Sequence, residues 1–267
     1  MAAVLAAIVQ GITEFLPISS SGHLVIVPWG AGIESPIVTG LTFAVAVHLG
    51  TGLAAISTMR LEWRDLLVSA RSCPSQMRSG ARRKLVAIVA GTVVLSIAGL
   101  ALESIVETVL REPWIVALAL IAGGAALYTA DRLGGVKTAD SRSLAVWTSI
   151  AVVQVGALVP GVSRSGLAMT AGRALGVGRL EATKFSFLLM APAILGAAAL
   201  RGFRLAQSGA APDELAILGL GLVLSAVSGF FAARWLLSYV SNNGFGAFAV
   251  YRTALGIAVL ILFATRA

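Results

Sequence analysis

The sequence predicts an all-α integral membrane fold: six transmembrane helices plus two re-entrant helical hairpins, arranged as an inverted-topology repeat in a single membrane domain, 1–267. Three observations carry that expectation. Of 267 residues, 58% are apolar and only 12% charged, about half the roughly 25% charged residues of soluble domains, and the mean hydropathy is +0.92. Six stretches are long and apolar enough, or nearly so, for a helix to cross a hydrocarbon core of about 30 Å. Two further apolar segments are each broken midway by a polar run, and the two breaks match at a fixed offset. A water-soluble enzyme and a disordered chain are both excluded by this composition.

The first broken segment covers residues 2–30, apolar except for Gln10, Glu14 and the run Pro17-Ile18-Ser19-Ser20-Ser21-Gly22-His23. No basic residue precedes it, the first Lys or Arg being Arg60, so it does not read as a cleaved signal. Spans are expected at 37–59, 85–103, 113–130, 184–201, 214–237 and 246–264. Between the first two, Arg60, Arg64, Arg71, Arg78, Arg82, Arg83 and Lys84 crowd one segment, read as a cytoplasmic loop. The second broken segment, 144–176, is interrupted by Pro160-Gly161-Val162-Ser163-Arg164-Ser165-Gly166. Irregular backbone at membrane depth is tolerated only where protein or a water-filled cavity surrounds it.

The net charge of +8 would suggest nucleic acid in a soluble protein, but here the excess follows the positive-inside rule. With 60–84 inside, fourteen Lys and Arg fall on that side and four on the other, which puts both termini outside. The single cysteine, Cys73, lies in the same basic segment, as a free thiol on the reducing side.

At an offset of 144, Gln10 pairs with Gln154, Ser19 with Ser163, Ser21 with Ser165, Gly22 with Gly166 and Phe43 with Phe187; the prolines match with a one-residue slip. Each half, 1–131 and 143–267, reads as a broken hairpin followed by three spans. Three is odd, so the second copy enters from the opposite face, with a site near the midplane where the halves meet.

An ionisable residue at membrane depth costs about 2.5–3.5 kcal/mol and marks a candidate site. Glu14 and Arg164 lie at or beside the breaks, and Gln10 shares a helix face with Glu14 four residues on. The serine runs open half-helices, whose free N–H groups attract anions, and the Arg164 guanidinium suits phosphate oxygens. Together they suggest a diphosphate, with a divalent metal between phosphate and Glu14. His23 is a candidate proton carrier in a cavity shared with Glu14 and Arg164. Plainer readings stand beside these: serines that only cap helices, a structural Glu14–Arg164 pair, and His23 bonded to a carbonyl. His48 reads as a packed histidine, Arg252 as a side chain that snorkels or braces the last helix, and Gly123-Gly124-Ala125-Ala126 as close helix packing. The four aspartates form no Asp-rich diphosphate motif, and neither a Walker loop nor a His/Cys zinc cluster is present.

The segment from Gln10 through Glu14 to Ser19-Ser20-Ser21-Gly22-His23 resembles the first signature of the undecaprenyl-diphosphate phosphatase family, the bacitracin-resistance type. Pro160 to Gly166 resembles its second, and Phe185-Ser186-Phe187-Leu188-Leu189 with Pro192 and Tyr251-Arg252 agree with it, so the likeness covers essentially the whole chain. The resemblance implies removal of the terminal phosphate from a C55 isoprenoid diphosphate, regenerating the carrier for cell-wall synthesis. It implies a Mg²⁺- or Ca²⁺-dependent site in the cytoplasmic membrane, open to the outer side, and leaves room for a homodimer. Carried over, Gln10 and Glu14 bind metal or orient water, Ser20 and His23 supply nucleophile or acid–base groups, and Ser19, Ser21, Ser163, Arg164 and Ser165 cradle phosphate. One departure stands out: Ala168 occupies a position where the family usually has Thr. Thr170 is about 200° further around the helix, so one hydrogen bond worth about 1.5–3 kcal/mol is expected to be missing. A polyprenyl-phosphate transporter built on the same repeat is the alternative function, while a haloperoxidase-like lipid phosphatase lacks its second histidine.

Overall fold

The computed structural model describes residues 1–32, 40–72, 75–135, 143–208 and 211–266. Cys73, Lys137, Asp140, Arg142 and the first residues of the 37–59 span lie outside them. The described residues form helices α1 (Ala2–Phe15), α2 (Ser20–Ala31), α3 (Leu41–Thr58), α4 (Arg60–Ser72), α5 (Ser75–Ala101), α6 (Glu103–Thr108), α7 (Pro113–Leu133), α8 (Leu144–Val153), α9 (Arg164–Ala174), α10 (Arg179–Ser208), α11 (Pro212–Asn242) and α12 (Gly246–Arg266), with a 3₁₀ turn at Gln154–Leu158.

Five helical stretches are long and apolar enough to cross a bilayer: Ser79–Ala101, Pro113–Leu133, Arg179–Leu200, Asp213–Asn242 and Gly246–Arg266. A sixth is added if Thr42–Thr58 and Arg60–Arg71, bent by 64°, are one span. The chain is thus all-helical among the described residues, with the spans of an integral membrane protein. The described residues of the basic segment are helical rather than a loop, Arg60–Ser72 in α4 and 75–84 at the start of α5. Its charges do not prevent this, because Trp63 and Leu66 pack on the core while Lys184–Glu62 and Lys84–Glu181 ion pairs at 2.8 and 3.0 Å tie it to α10.

The two breaks have local causes. Pro17 disfavours helical backbone at the preceding residue, and Leu16 is extended, with φ −68° and ψ 141°. Pro160 and Gly161, the latter at φ 101°, precede the second break. Ser19 and Ser163 then stand at φ 72° and 74°, the two non-glycine residues with positive φ among those described. Each caps the following helix, its hydroxyl accepting from the backbone N–H of Gly22 at 3.2 Å or Gly166 at 3.1 Å. A serine tolerates left-handed backbone only where its surroundings over-determine it, and the same cap recurs at both breaks.

Packing brings the breaks together. Helix α11 lies against α1 and α3, α10 against α3 and α9, and α12 against α7. Small residues allow close approach: a Cβ at Gly50 would stand 2.2 Å from Leu222 O, and one at Gly11 2.7 Å from Ser225 O. Phe15 meets Phe187 edge-on at 4.9 Å and Trp147 lies 4.6 Å from Phe185, within the main apolar cluster. At the far end of α9, buried Asp131 accepts from Arg173 Nε at 3.2 Å, Arg179 Nε at 2.7 Å and Phe245 N at 2.9 Å. That node anchors α9 to α7, α10 and the start of α12.

Candidate active site

Glu14 is the centre of the polar cluster. It lies in the last turn of α1, 4% exposed, and Gln10, one turn earlier, donates from Nε2 to Glu14 Oε2 at 2.8 Å. The Ser20 hydroxyl, at the first turn of α2, donates to that same oxygen. Arg164, opening α9, places Nη2 3.6 Å from Glu14 Oε1. The first break therefore meets the second, as the inferred site requires. His48, on α3, brings Nε2 to 3.4 Å from Glu14 Oε2. Its Nδ1 donates to Ala44 O at 2.6 Å, which turns Nε2 toward the carboxylate.

The loops are interlocked by their own backbones. Ser19 Oγ also accepts from Gly161 N at 3.1 Å, and Ser165 Oγ donates to Leu16 O at 3.2 Å. Arg252, on α12 and 0% exposed, donates to Pro17 O at 3.3 Å, Gly161 O at 3.0 Å and Val162 O at 2.7 Å. At 123 a Cβ would run into the Arg252 guanidinium, which would have to shift off its acceptors. Arg252 thus braces both breaks rather than its own helix, and Gly123, read as a helix-packing residue, makes room for its guanidinium.

A cavity of about 490 Å³ reaches this cluster. His48, Gln154 and Arg164 supply polar wall, while Leu95, Leu158 and Ile194 supply apolar wall. Glu103 and Glu107 of α6 also line it, at the α5–α7 connection. A larger recess of about 1320 Å³ lies along the basic segment, between the Lys84–Glu181 and Lys184–Glu62 pairs, and none of the predicted site residues lines it.

The structure thus gathers Gln10, Glu14, Ser20 and Arg164. Ser19 and Ser165 hold the loops, and Ser21 and Ser163 lie 3.4 and 3.2 Å from those hydroxyls. His23 sits elsewhere in the network: Nδ1 is 2.7 Å from Ser19 O and Nε2 2.8 Å from Tyr251 Oη, with the two rings stacked. Since Ser19 O can only accept, Nδ1 donates and Nε2 accepts from Tyr251, and neither nitrogen faces Glu14. Ala168 is 1% exposed in the apolar cluster and does not line the cavity. Sequence reasoning passed over His48, a lone imidazole on an apolar span, although its place one helix away from Glu14 was not readable from spacing. Gln154 was noticed as the repeat partner of Gln10 without a role; both its amide atoms are buried and unpartnered.

The donors suit a hard divalent cation. Gln10 Oε1 is buried without a hydrogen-bond partner beside the Glu14 carboxylate. Among the described residues no three His, Cys, Asp or Glu cluster as a metal cage. Mg²⁺ needs none, since it takes one or two carboxylates and completes its shell with waters and substrate phosphates.

Comparison with known proteins agrees along the chain. Residues 3–258 match the model of the family described as "Bacitracin resistance protein BacA". The undecaprenyl-diphosphatase of Desulforudis audaxviator (strain MP104C) is 41% identical over 260 residues, covering 96% of this chain and 94% of that protein. Those of Pelotomaculum thermopropionicum (strain DSM 13744 / JCM 10971 / SI) and Gemmatimonas aurantiaca (strain DSM 14586 / JCM 11422 / NBRC 100505 / T-27) are 41% and 40% identical, each over at least 97% of this chain and 95% of the relative. With its two interlocked breaks and a family match over nearly its whole length, the chain belongs to the bacitracin resistance protein BacA family.

Proposed function

We propose that the chain is an undecaprenyl-diphosphatase, an integral-membrane hydrolase that splits the phosphoanhydride of undecaprenyl diphosphate. Inorganic phosphate leaves and the monophosphate carrier is returned to cell-wall synthesis. The curated relatives carry that name over nearly the full chain. The observation that carries the reading is the juxtaposition of Glu14, Ser20 and Arg164 at the meeting of two half-helix N-termini.

Arg164 binds the terminal phosphoryl oxygens with a forked, permanently charged donor, and the Glu14 ion pair holds it at the cavity wall until substrate arrives. Ser20 is the attacking hydroxyl: as its proton passes to Glu14 it forms an O–P bond to the terminal phosphorus, the anhydride P–O bond breaks and the lipid monophosphate leaves, and water then hydrolyses the phosphoserine to inorganic phosphate. Free N–H groups opening α2 and α9 stabilise charge on the phosphoryl oxygens. Gln10 and Glu14 would hold a Mg²⁺ or Ca²⁺, which would neutralise phosphate charge. His23, committed to Ser19 and Tyr251, keeps the first loop in its left-handed conformation rather than moving a proton to substrate.

The inverted repeat, halves 1–131 and 143–267, is supported by the matching serine caps, with three spans in the second half and three in the first when the bent pair Thr42–Thr58 and Arg60–Arg71 is one span. The cavity opens to the outer side of the cytoplasmic membrane: Glu103 and Glu107 line it at the connection across one span from the basic segment. The test is phosphate release from a polyprenyl diphosphate by detergent-purified protein. Release by wild type and its loss in Glu14→Gln are expected; lipid movement across vesicles without release would replace the reading with transport.

A further inference from the structure

Gln154 is the most conspicuous buried group that the mechanism leaves unused. It is 0% exposed, at the start of the 3₁₀ turn that leads into the second break. Neither its Oε1 nor its Nε2 has a hydrogen-bond partner. Its counterpart at the offset of 144, Gln10, gives its amide N–H to Glu14 at 2.8 Å. The residue matching Glu14 in the second half is Leu158, which has nothing to accept with. The second hairpin carries the amide without an internal acceptor.

A buried carboxamide with both ends unmet is destabilising in the free protein, since folding strips its water and returns nothing. It sits in the wall of the 490 Å³ cavity with Arg164 and His48, where a phosphate would come to rest against Arg164. We propose that Gln154 is a substrate-binding residue that turns its amide into the cavity when substrate enters, its Nε2–H₂ then donating to a diphosphate oxygen and its Oε1 accepting from a water held beside that phosphate. A carboxamide serves this position better than a carboxylate, which would repel the diphosphate. The inference rests on the diphosphatase reading, and adds that the second hairpin contributes recognition through its neutral side chain as well as its arginine.

The test uses full-length protein in detergent with Gln154→Leu and Gln154→Met, which keep bulk and remove both polar atoms. The probe is a methylene-bridged polyprenyl diphosphonate, which binds but cannot be cleaved. Removing an unmet polar group leaves the Tm of the ligand-free protein equal to or above that of wild type, whereas removing a structural hydrogen-bonding group lowers it. Analogue affinity is expected to fall about tenfold, or 1.4 kcal/mol, and kcat/KM on the diphosphate to fall with it. Analogue binding within twofold of wild type in either folded variant overturns the inference, as does failure of both variants to fold. Wild type that binds the analogue but releases no phosphate would instead overturn the diphosphatase reading and leave the Gln154 contact standing.

Discussion

Replacing Arg252 by Met is expected to damage catalysis far more than folding. Its guanidinium reaches Val162 O at 2.7 Å, Gly161 O at 3.0 Å and Pro17 O at 3.3 Å. Hydrogen bonds from charged donors contribute about 1.5–3 kcal/mol each, so the two shorter ones hold the second loop with about 3–6 kcal/mol of gross interaction. Met also removes a buried charge whose desolvation costs several kcal/mol. The two effects largely offset, leaving a net loss near 2 kcal/mol, or about 4–8 °C in Tm. Loop position has no such compensation. A misplacement of about 1 Å in a reacting group costs about 100-fold, and Arg164 and Ser20 both sit on the loops that Arg252 joins. The assay is phosphate release by purified Arg252→Met alongside its melting curve, with Arg252→Lys, a single point charge that cannot span both loops, falling between it and wild type. A kcat/KM for Arg252→Met within threefold of wild type would refute the reasoning, as would a Tm loss above about 20 °C, far beyond that net cost.

Other perturbations separate roles around the same centre. Glu14→Gln and Ser20→Ala should each lower phosphate release by about 10²–10⁴, the usual range for a positioned acid–base group, without loss of the folded protein on gel filtration. EDTA should abolish release and Mg²⁺ or Ca²⁺ restore it, and a cation-induced rise in Tm should be absent in Glu14→Gln. Asp131→Asn breaks a buried charge cluster, worth about 3–5 kcal/mol, so Tm should fall by about 6–20 °C while kcat of the surviving protein at low temperature changes little.

Much of this architecture is written in side-chain chemistry along the chain. Apolar runs announce the spans, because a bilayer demands length and hydrophobicity and little else. The breaks are legible because Pro17 and Pro160 stop helices locally, and Glu14 and Arg164 stand out because charge is costly at that depth. The remainder depends on which helices become neighbours. His48 has the sequence context of a packed histidine, and only the contact of α3 with α1 turns Nε2 toward Glu14. Arg252 looked like a brace for α12, yet its acceptors are 90 to 235 residues away in the chain. His23 lies in the motif beside Ser20, but the left-handed turn at Ser19 sends its ring to Tyr251. The helices α4 and the start of α5, on either side of 73–74, are hidden by charge, since ion pairs to α10 stabilise them from a partner the local sequence does not contain.

The interlock also sets an order of assembly. The first loop leaves the ribosome 142 residues ahead of Gly161, which its Ser19 must hold, and 235 ahead of the arginine that Pro17 must meet. Until the final helix is inserted, a nascent chain carries half of a hydrolase whose carbonyls have only lipid headgroups and stray water to greet them. A polypeptide stalled or clipped before that point should therefore be inert however well its earlier helices are threaded, and activity should switch on only with the last one.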